Sequence, residues 1–346
     1  MAQVVGRYRT DSRSVRVDKR KSSPLASSCL SRRLSASVIC PRTLHNLTSS
    51  CFVAAMFGSS SLVTAFCLAA LWAWQVGTVA AAKPSGGCGK APSLASGNHS
   101  MTVAGTNRWF LLKLPEGYKN DHPYRLVFTL HAKGGNADQV ATGSGGYLPW
   151  YGLPPLFNDN TSAIYVSPNG LDAGWANKNG DDITLIADIV KSAKSGLCVD
   201  ENLVFSTGFS FGASMSYSIA CSLPKVFRAV APLSGRNRSG CVGGTDPVPY
   251  YGEHGIGDTV IPIEEGRLIR DTFVKANGCT PVATSSATTP GKGSGSHVKT
   301  VYKGCKEGYP VVWVEFDGPH SPQPKDKGAS KTFAADETFS FFSQFK

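Results

Sequence analysis

The chain has 346 residues, enough for one large domain or two small ones, and carries 35 Lys and Arg against 24 Asp and Glu, a formal net charge of +11. That charge sits at one end: residues 1–55 hold 10 Lys and Arg and 2 Asp and Glu, residues 56–82 hold none, and from Lys83 onward 25 basic residues stand against 22 acidic ones. A remainder of +3 leaves no polybasic face and argues against nucleic-acid binding.

Residues 1–55 are rich in Ser and Arg and lack a periodic apolar pattern. They are expected to be a disordered basic extension, upstream of the true start in the gene model, because Met56 is itself a suitable start. Residues 56–82 read MFGSSSLVTAFCLAALWAWQVGTVAAA. The apolar centre from Leu62 to Trp74 has signal-peptide length, and Ala80-Ala81-Ala82 before Lys83 fits the small-residue cleavage pattern. The alternative is a signal anchor, since 27 uncharged residues can span a bilayer; the Gly, Ser and Thr content favours cleavage. The expectation is a secreted, extracellular protein with no stable membrane association after cleavage, whose single folded domain covers 83–346.

Six of the ten cysteines, Cys88, Cys198, Cys221, Cys241, Cys279 and Cys305, lie in that domain. An even number without any CxxC pair favours three disulfides over a zinc site; of about 15 pairings, Cys279–Cys305 is singled out because the two flank one polar excursion. Asn98-His-Ser, Asn160-Thr-Ser and Asn237-Arg-Ser are glycosylation acceptors in a secreted chain.

After a Gly/Pro/Ser-rich start, 108–115 reads as a strand, and 124–131 as a second, almost wholly apolar and so buried on both faces. Residues 137–160 read as loop and short helix with aromatics at Tyr147, Trp150, Tyr151 and Phe157. A third strand is expected at 162–167. The apolar spacing and leading acids of 181–190 predict a helix. Strands follow at 202–207, 227–234, 247–254 and 310–316, with helices behind the second glycine of the 208–212 turn, at 263–276 and at 333–345. The alternation argues for one α/β domain around a mostly parallel sheet with helices on both faces.

The stretch Gly208-Phe-Ser-Phe-Gly212 lies between a strand and a helix, the layout of a nucleophile elbow. Glycine makes up 37 of 346 residues, so the bare pattern is expected about 0.4 times by chance and only its context confirms it. A serine hydroxyl needs a histidine to take its proton and a carboxylate to orient that histidine. With Ser210 as nucleophile, the partners should follow in the order acid, then histidine, in loops after later strands. Asp258, in the Gly-rich loop after 247–254, and His320, in the loop after the last strand, meet that description. Asp246 precedes its strand, and Asp317 is too close in sequence to His320. The oxyanion donors are expected to be the backbone N–H of Phe211 and that of Ala132 or Lys133, in the loop after His131.

Further segments carry a resemblance: Gly87-Cys-Gly-Lys-Ala-Pro92, Pro123-Tyr-Arg-Leu-Val-Phe128, Gly174-Trp-Ala-Asn177, Tyr250-Tyr-Gly-Glu-His-Gly255, Phe273-Val-Lys-Ala-Asn-Gly-Cys279 and Phe341-Phe-Ser-Gln-Phe345. With the elbow, they resemble secreted fungal feruloyl esterases of carbohydrate esterase family one, relatives of acetylxylan esterases and polyhydroxybutyrate depolymerases. The likeness runs from Gly87 to Phe345. It implies an α/β-hydrolase fold and cofactor-free, metal-free cleavage of ferulate esters on arabinoxylan by a monomer. In that setting His131, Trp150, Tyr151 and Trp175 are expected to border the substrate, with core packing or loop support as the alternative for each. The oxyanion loop, commonly Leu-His-Trp-Leu-Asn-Gly in the family, is here Leu130-His-Ala-Lys-Gly-Gly135, and a Gly-Asp-His before the base is here Gly318-Pro-His320. These departures leave two other readings open: an acetylxylan or polyester esterase, and a non-catalytic carbohydrate-binding protein on the same fold.

Overall fold

The computed structural model describes residues 81–158, 162–241, 244, 246–282 and 289–346. The basic extension, the apolar segment up to Ala80 and the acceptor Asn160 lie outside the described residues.

The strands are β1 (Gly97–Val103), β2 (Thr106–Lys113), β3 (Tyr124–Leu130), β4 (Ala163–Pro168), β5 (Val199–Phe209), β6 (Ala229–Leu233), β7 (Tyr250–Gly255), β8 (His297–Val301) and β9 (Val311–Phe316). They form one sheet in the order β1-β2-β4-β3-β5-β6-β7-β9-β8. From β4 to β9 the neighbours pair in parallel; β1, β2 and β8 add antiparallel edges. The helices are α1 (Ala137–Thr142), α2 (Asp181–Gly196), α3 (Phe211–Ser222), α4 (Ile263–Ala276) and α5 (Ala334–Ser343).

The apolar runs of the parallel strands are covered on both sides. Side chains alternate across a strand, so in β3 Leu126, Phe128 and Leu130 pack with Ile186 and Ile189 of α2 and Met215 of α3, while Val127 packs on the far side with Phe205, Tyr251 and Phe342. Further along the sheet, Val230, Tyr250, Val311 and Trp313 meet Ile269 and Phe273 of α4. Burying each large apolar side chain contributes about 1.5–3 kcal/mol. This is an α/β-hydrolase architecture, with the parallel strands ending on a common edge.

The two edge strands that the sequence pattern does not reveal, β1 and β8, are half exposed and hold polar residues. The cysteines form Cys88–Cys198, Cys221–Cys241 and Cys279–Cys305. Among the described residues no helix is long and apolar enough to cross a membrane.

Candidate active site

The site is built on the carboxyl edge of the sheet. β5 runs to Phe209, α3 begins at Phe211, and Ser210 between them is held at φ 57°, ψ −111°. A serine does not adopt that conformation without strain, which persists only where the surroundings impose it. Of the nine described non-glycine residues with positive φ, eight lie in the loops leaving β3, β4, β5 and β6 on this edge: Trp150, Tyr151, Asp172, Ala173, Asn177, Asn179, Ser210 and Ser234. The two elbow glycines are required sterically. A Cβ on Gly208 would fall within 3.0 Å of the Gly212 backbone, and one on Gly212 would strike the Leu130 carbonyl. The turn is pinned by Ser210 N–H donating to the Leu233 carbonyl at 2.9 Å.

Asp258 and His320 meet at this edge. β7 and β9 are neighbours, and their outgoing loops are joined by Ile256 N–H to Phe316 O at 2.8 Å and Gly257 N–H to Gly318 O at 3.0 Å. His320 Nδ1 donates to Asp258 Oδ2 at 2.5 Å, and its ring lies 4.4 Å from that of Phe209, the residue before Ser210. His320 Nε2 is buried and has no hydrogen-bond partner among the described residues, nor does Ser210 Oγ. Nucleophile–base hydrogen bonds are often long before substrate binds and tighten only in the complex.

The carboxylate is held by four donors. Oδ1 accepts from the N–H groups of Val260 and Ile261, both at 2.8 Å. Oδ2 accepts from His320 and lies 3.2 Å from His254 Nε2, whose nearer acceptor is the Ile261 carbonyl at 2.8 Å. Burial of Asp258 acts to raise its pKa, but hydrogen bonds from His254, the Ile261 amide and His320 outweigh it and hold the carboxyl at about 2. His254 is a partner of this acid that the sequence motifs do not single out. Its one signal was its position four residues before Asp258; the room for its ring comes from Gly266 of α4, where a Cβ would collide with it. The rival Asp317 accepts from Gly295 N–H at 2.7 Å, and it is Asp258 that His320 Nδ1 engages.

The loop after β3 is organised by buried side chains. His131 is fully buried. Its Nδ1 donates to Ala132 O at 2.8 Å and its Nε2 accepts from Gly170 N–H at 2.9 Å, a pattern that assigns the neutral tautomer. Burial first of all lowers its pKa. With both nitrogens occupied, His131 is a brace for the loop. Trp175 is also fully buried, its indole N–H donating to His131 O at 2.8 Å, so it offers no face to a ligand and the expectation that it borders the substrate is corrected. Tyr151 Oη donates to Leu130 O at 2.7 Å and accepts from Phe209 N–H at 2.9 Å, tying the ends of β3 and β5. Trp150 lines a cavity of about 600 Å³ with Leu148, Pro149 and Gln323, beside the His320 loop. The Ala132 amide donates to Tyr147 Oη at 2.8 Å. The Lys133 amide makes no hydrogen bond among the described residues, and neither does that of Phe211, the first N–H of α3.

No protein-family model matches the chain. The chain is 46% identical over 295 residues to feruloyl esterase D of Neurospora crassa, covering 84% of this chain and all of that one. The chain belongs to the feruloyl esterases. Feruloyl esterase C of Emericella nidulans is 44% identical over 258 residues, 75% of this chain and 90% of its own. A ferulic acid esterase of carbohydrate esterase family one from Anaeromyces mucronatus, solved with ferulic acid, superposes with a TM-score of 0.50 at 14% identity, over 72% of this chain and 90% of that one, and carries the fold. As a feruloyl esterase, the protein is a carboxylic ester hydrolase. Among the described residues no group of three His, Cys, Asp or Glu is placed to hold a metal.

One buried acid stands apart from this machinery. Glu253 lies in β7 in register with Leu233 of β6, which is in register with Phe209, so all three face the same side of the sheet. Burial pushes its carboxyl up to about 8, against the hydrogen bond from Tyr251 Oη at 2.8 Å; Glu337 adds to the rise. The unfolded chain ionises this group near pH 4.5 while the folded one keeps its proton, so stability falls as pH rises from about 4.5 to about 8 and then levels. Melting temperatures across that range should decline less in Glu253→Gln than in wild type. Parallel curves would show that Glu253 is not held neutral.

Proposed function

We propose that the protein is a secreted serine esterase that releases ferulate from feruloylated arabinoxylan of plant cell walls, with Ser210 as nucleophile, His320 as base and Asp258 as the orienting acid. The observation that carries this reading is the Asp258–His320 pair set against Phe209, directly beside the strained Ser210. His320 Nε2 takes the Ser210 proton as Oγ attacks the ester carbonyl. Asp258 Oδ2 holds the Nδ1 proton and stabilises the imidazolium. The oxyanion is received by the amides of Phe211 and Lys133, since the Ala132 amide is engaged by Tyr147. The C–O bond to the sugar then breaks, and the leaving alcohol collects the proton from His320. Water, deprotonated by His320, attacks the acyl-enzyme; ferulate departs and Ser210 regains its proton.

Tyr151 and Trp150 flank this centre, Tyr151 as the tie behind the elbow and Trp150 at the neighbouring cavity. Three disulfides suit an oxidising compartment, which supports secretion through the apolar segment 56–82. The protein acts as a monomer without cofactor on this reading. Turnover of methyl ferulate compared with acetylated xylan tests the substrate: faster release of ferulate is expected, and acetate release without ferulate release would overturn the assignment in favour of an acetylxylan esterase.

A further inference from the structure

The rim of the site beside Phe211 is cationic, and the catalytic arrangement makes no use of that charge. The loop 234–241 leaves β6 and crosses the start of α3. Arg236 N–H donates to Ser214 Oγ at 3.3 Å, and Ser214 Oγ donates to the Ser210 carbonyl at 3.1 Å, so this loop is one side chain away from the nucleophile's backbone. The Arg238 guanidinium lies over the ring of Phe211, its carbon 4.6 Å from the centroid. The loop is fixed in place. Cys221–Cys241 ties it to the end of α3, Ser239 Oγ donates to Trp175 O at 2.8 Å, and Asn177 Nδ2 donates to Ser239 O at 2.9 Å.

The loop that holds Lys133 is joined to the 171–174 loop, which abuts the Phe211 ring at Gly174, by Gly134 N–H to Ala173 O at 2.8 Å, and Lys133 is exposed. Arg236, Arg238 and Lys133 form no ion pair among the described residues; the one acid on the 171–174 loop, Asp172, is exposed and forms none either. Three cations against one carboxylate, beside the positive end of α3, make a field that favours an anion.

We propose that Arg236 and Arg238 recognise a carboxylate on the alcohol part of the ester, so that the preferred substrates are polysaccharide esters bearing uronic acid groups. This rests on the feruloyl esterase reading. An esterified hydroxycinnamoyl group has its carboxyl in the ester bond and a phenol that, like that of tyrosine, ionises above neutral pH, so it is uncharged at neutral pH and offers these cations nothing. The anion must therefore be on the sugar side. Guanidinium groups suit it because their planar donors match a carboxylate in pairs.

The test compares kcat/KM for a feruloylated xylo-oligosaccharide carrying a uronate with the same oligosaccharide after reduction of that carboxyl, with methyl ferulate as control. Wild type should favour the uronate ester about three- to tenfold at low salt, and the preference should shrink at 0.5 M salt, where charges are screened within about 4 Å. In Arg236→Gln/Arg238→Gln the ratio should approach one while methyl ferulate turnover persists. A wild-type ratio at or below one, or a ratio unchanged in the double variant, overturns the proposal. Absence of turnover of methyl ferulate and of both oligosaccharides by wild type would instead overturn the feruloyl esterase reading on which it stands.

Discussion

Ser210→Ala is expected to lower kcat for methyl ferulate by about 10⁶-fold, with little change in melting temperature. The rate falls because no other hydroxyl occupies the elbow. The fold should survive because Ser210 Oγ makes no hydrogen bond among the described residues, and alanine accepts the φ 57° backbone at the same cost as serine. Steady-state kinetics alongside thermal unfolding would check both halves. A variant with more than about 1% of wild-type activity after removal of contaminating esterase would exclude Ser210 as nucleophile.

Asp258→Asn should cost about 10⁴-fold in kcat and also destabilise the fold. The reason lies in the four donors around the carboxylate. Oδ1 faces two backbone N–H groups, so the asparagine oxygen must remain there. Its NH₂ then falls on the Oδ2 position, opposite donors on His320 and His254. His320 must turn or change tautomer, placing its proton on Nε2, where it can no longer accept one from Ser210. The other N–H of the new amide then faces the His254 N–H, which keeps the Ile261 carbonyl, and a buried donor left unsatisfied costs about 1–3 kcal/mol. The acid dependence should change as well. A carboxyl held at about 2 in the fold and near 3.8 when unfolded contributes stability above pH 3.8 that is lost as pH falls through about 2. That acid-side loss should be smaller in the variant. Wild-type kcat in Asp258→Asn would contradict the role given to this acid.

Much of the frame was legible because parallel strands bury both faces and leave continuous apolar runs. Segments such as Leu126-Val-Phe128 and Val311-Val-Trp-Val314 mark such strands without ambiguity. The edge strands β1 and β8 were not legible, because a half-exposed strand of Asn, His, Ser, Lys and Thr looks like loop until a neighbour pairs with it. Ser210, Asp258 and His320 could be singled out since each follows a strand and their order is constrained. The supports could not be found this way. Tyr147 on Ala132, Tyr151 between Leu130 and Phe209, and His254 on Asp258 act through contacts set by loop shape and not by sequence spacing. Trp175 stayed open between substrate and core for the same reason: an aromatic near the site in sequence can face inward as readily as outward, and here it is buried and its N–H is consumed by His131. The three disulfides show the same boundary. Cys279–Cys305 closes a local excursion, whereas Cys88–Cys198 joins residues 110 apart and Cys221–Cys241 depends on where the loop after β6 returns.

The central claim is that Ser210 forms the acyl-enzyme. Its most direct test is stoichiometric labelling with an aryl phosphonate ester, followed by peptide mass mapping and assay of residual methyl ferulate hydrolysis. The account predicts one phosphonyl group per chain, on Ser210, with activity lost in proportion to labelling. Activity lost with the label on another residue, or Ser210 fully labelled with activity intact, would contradict it.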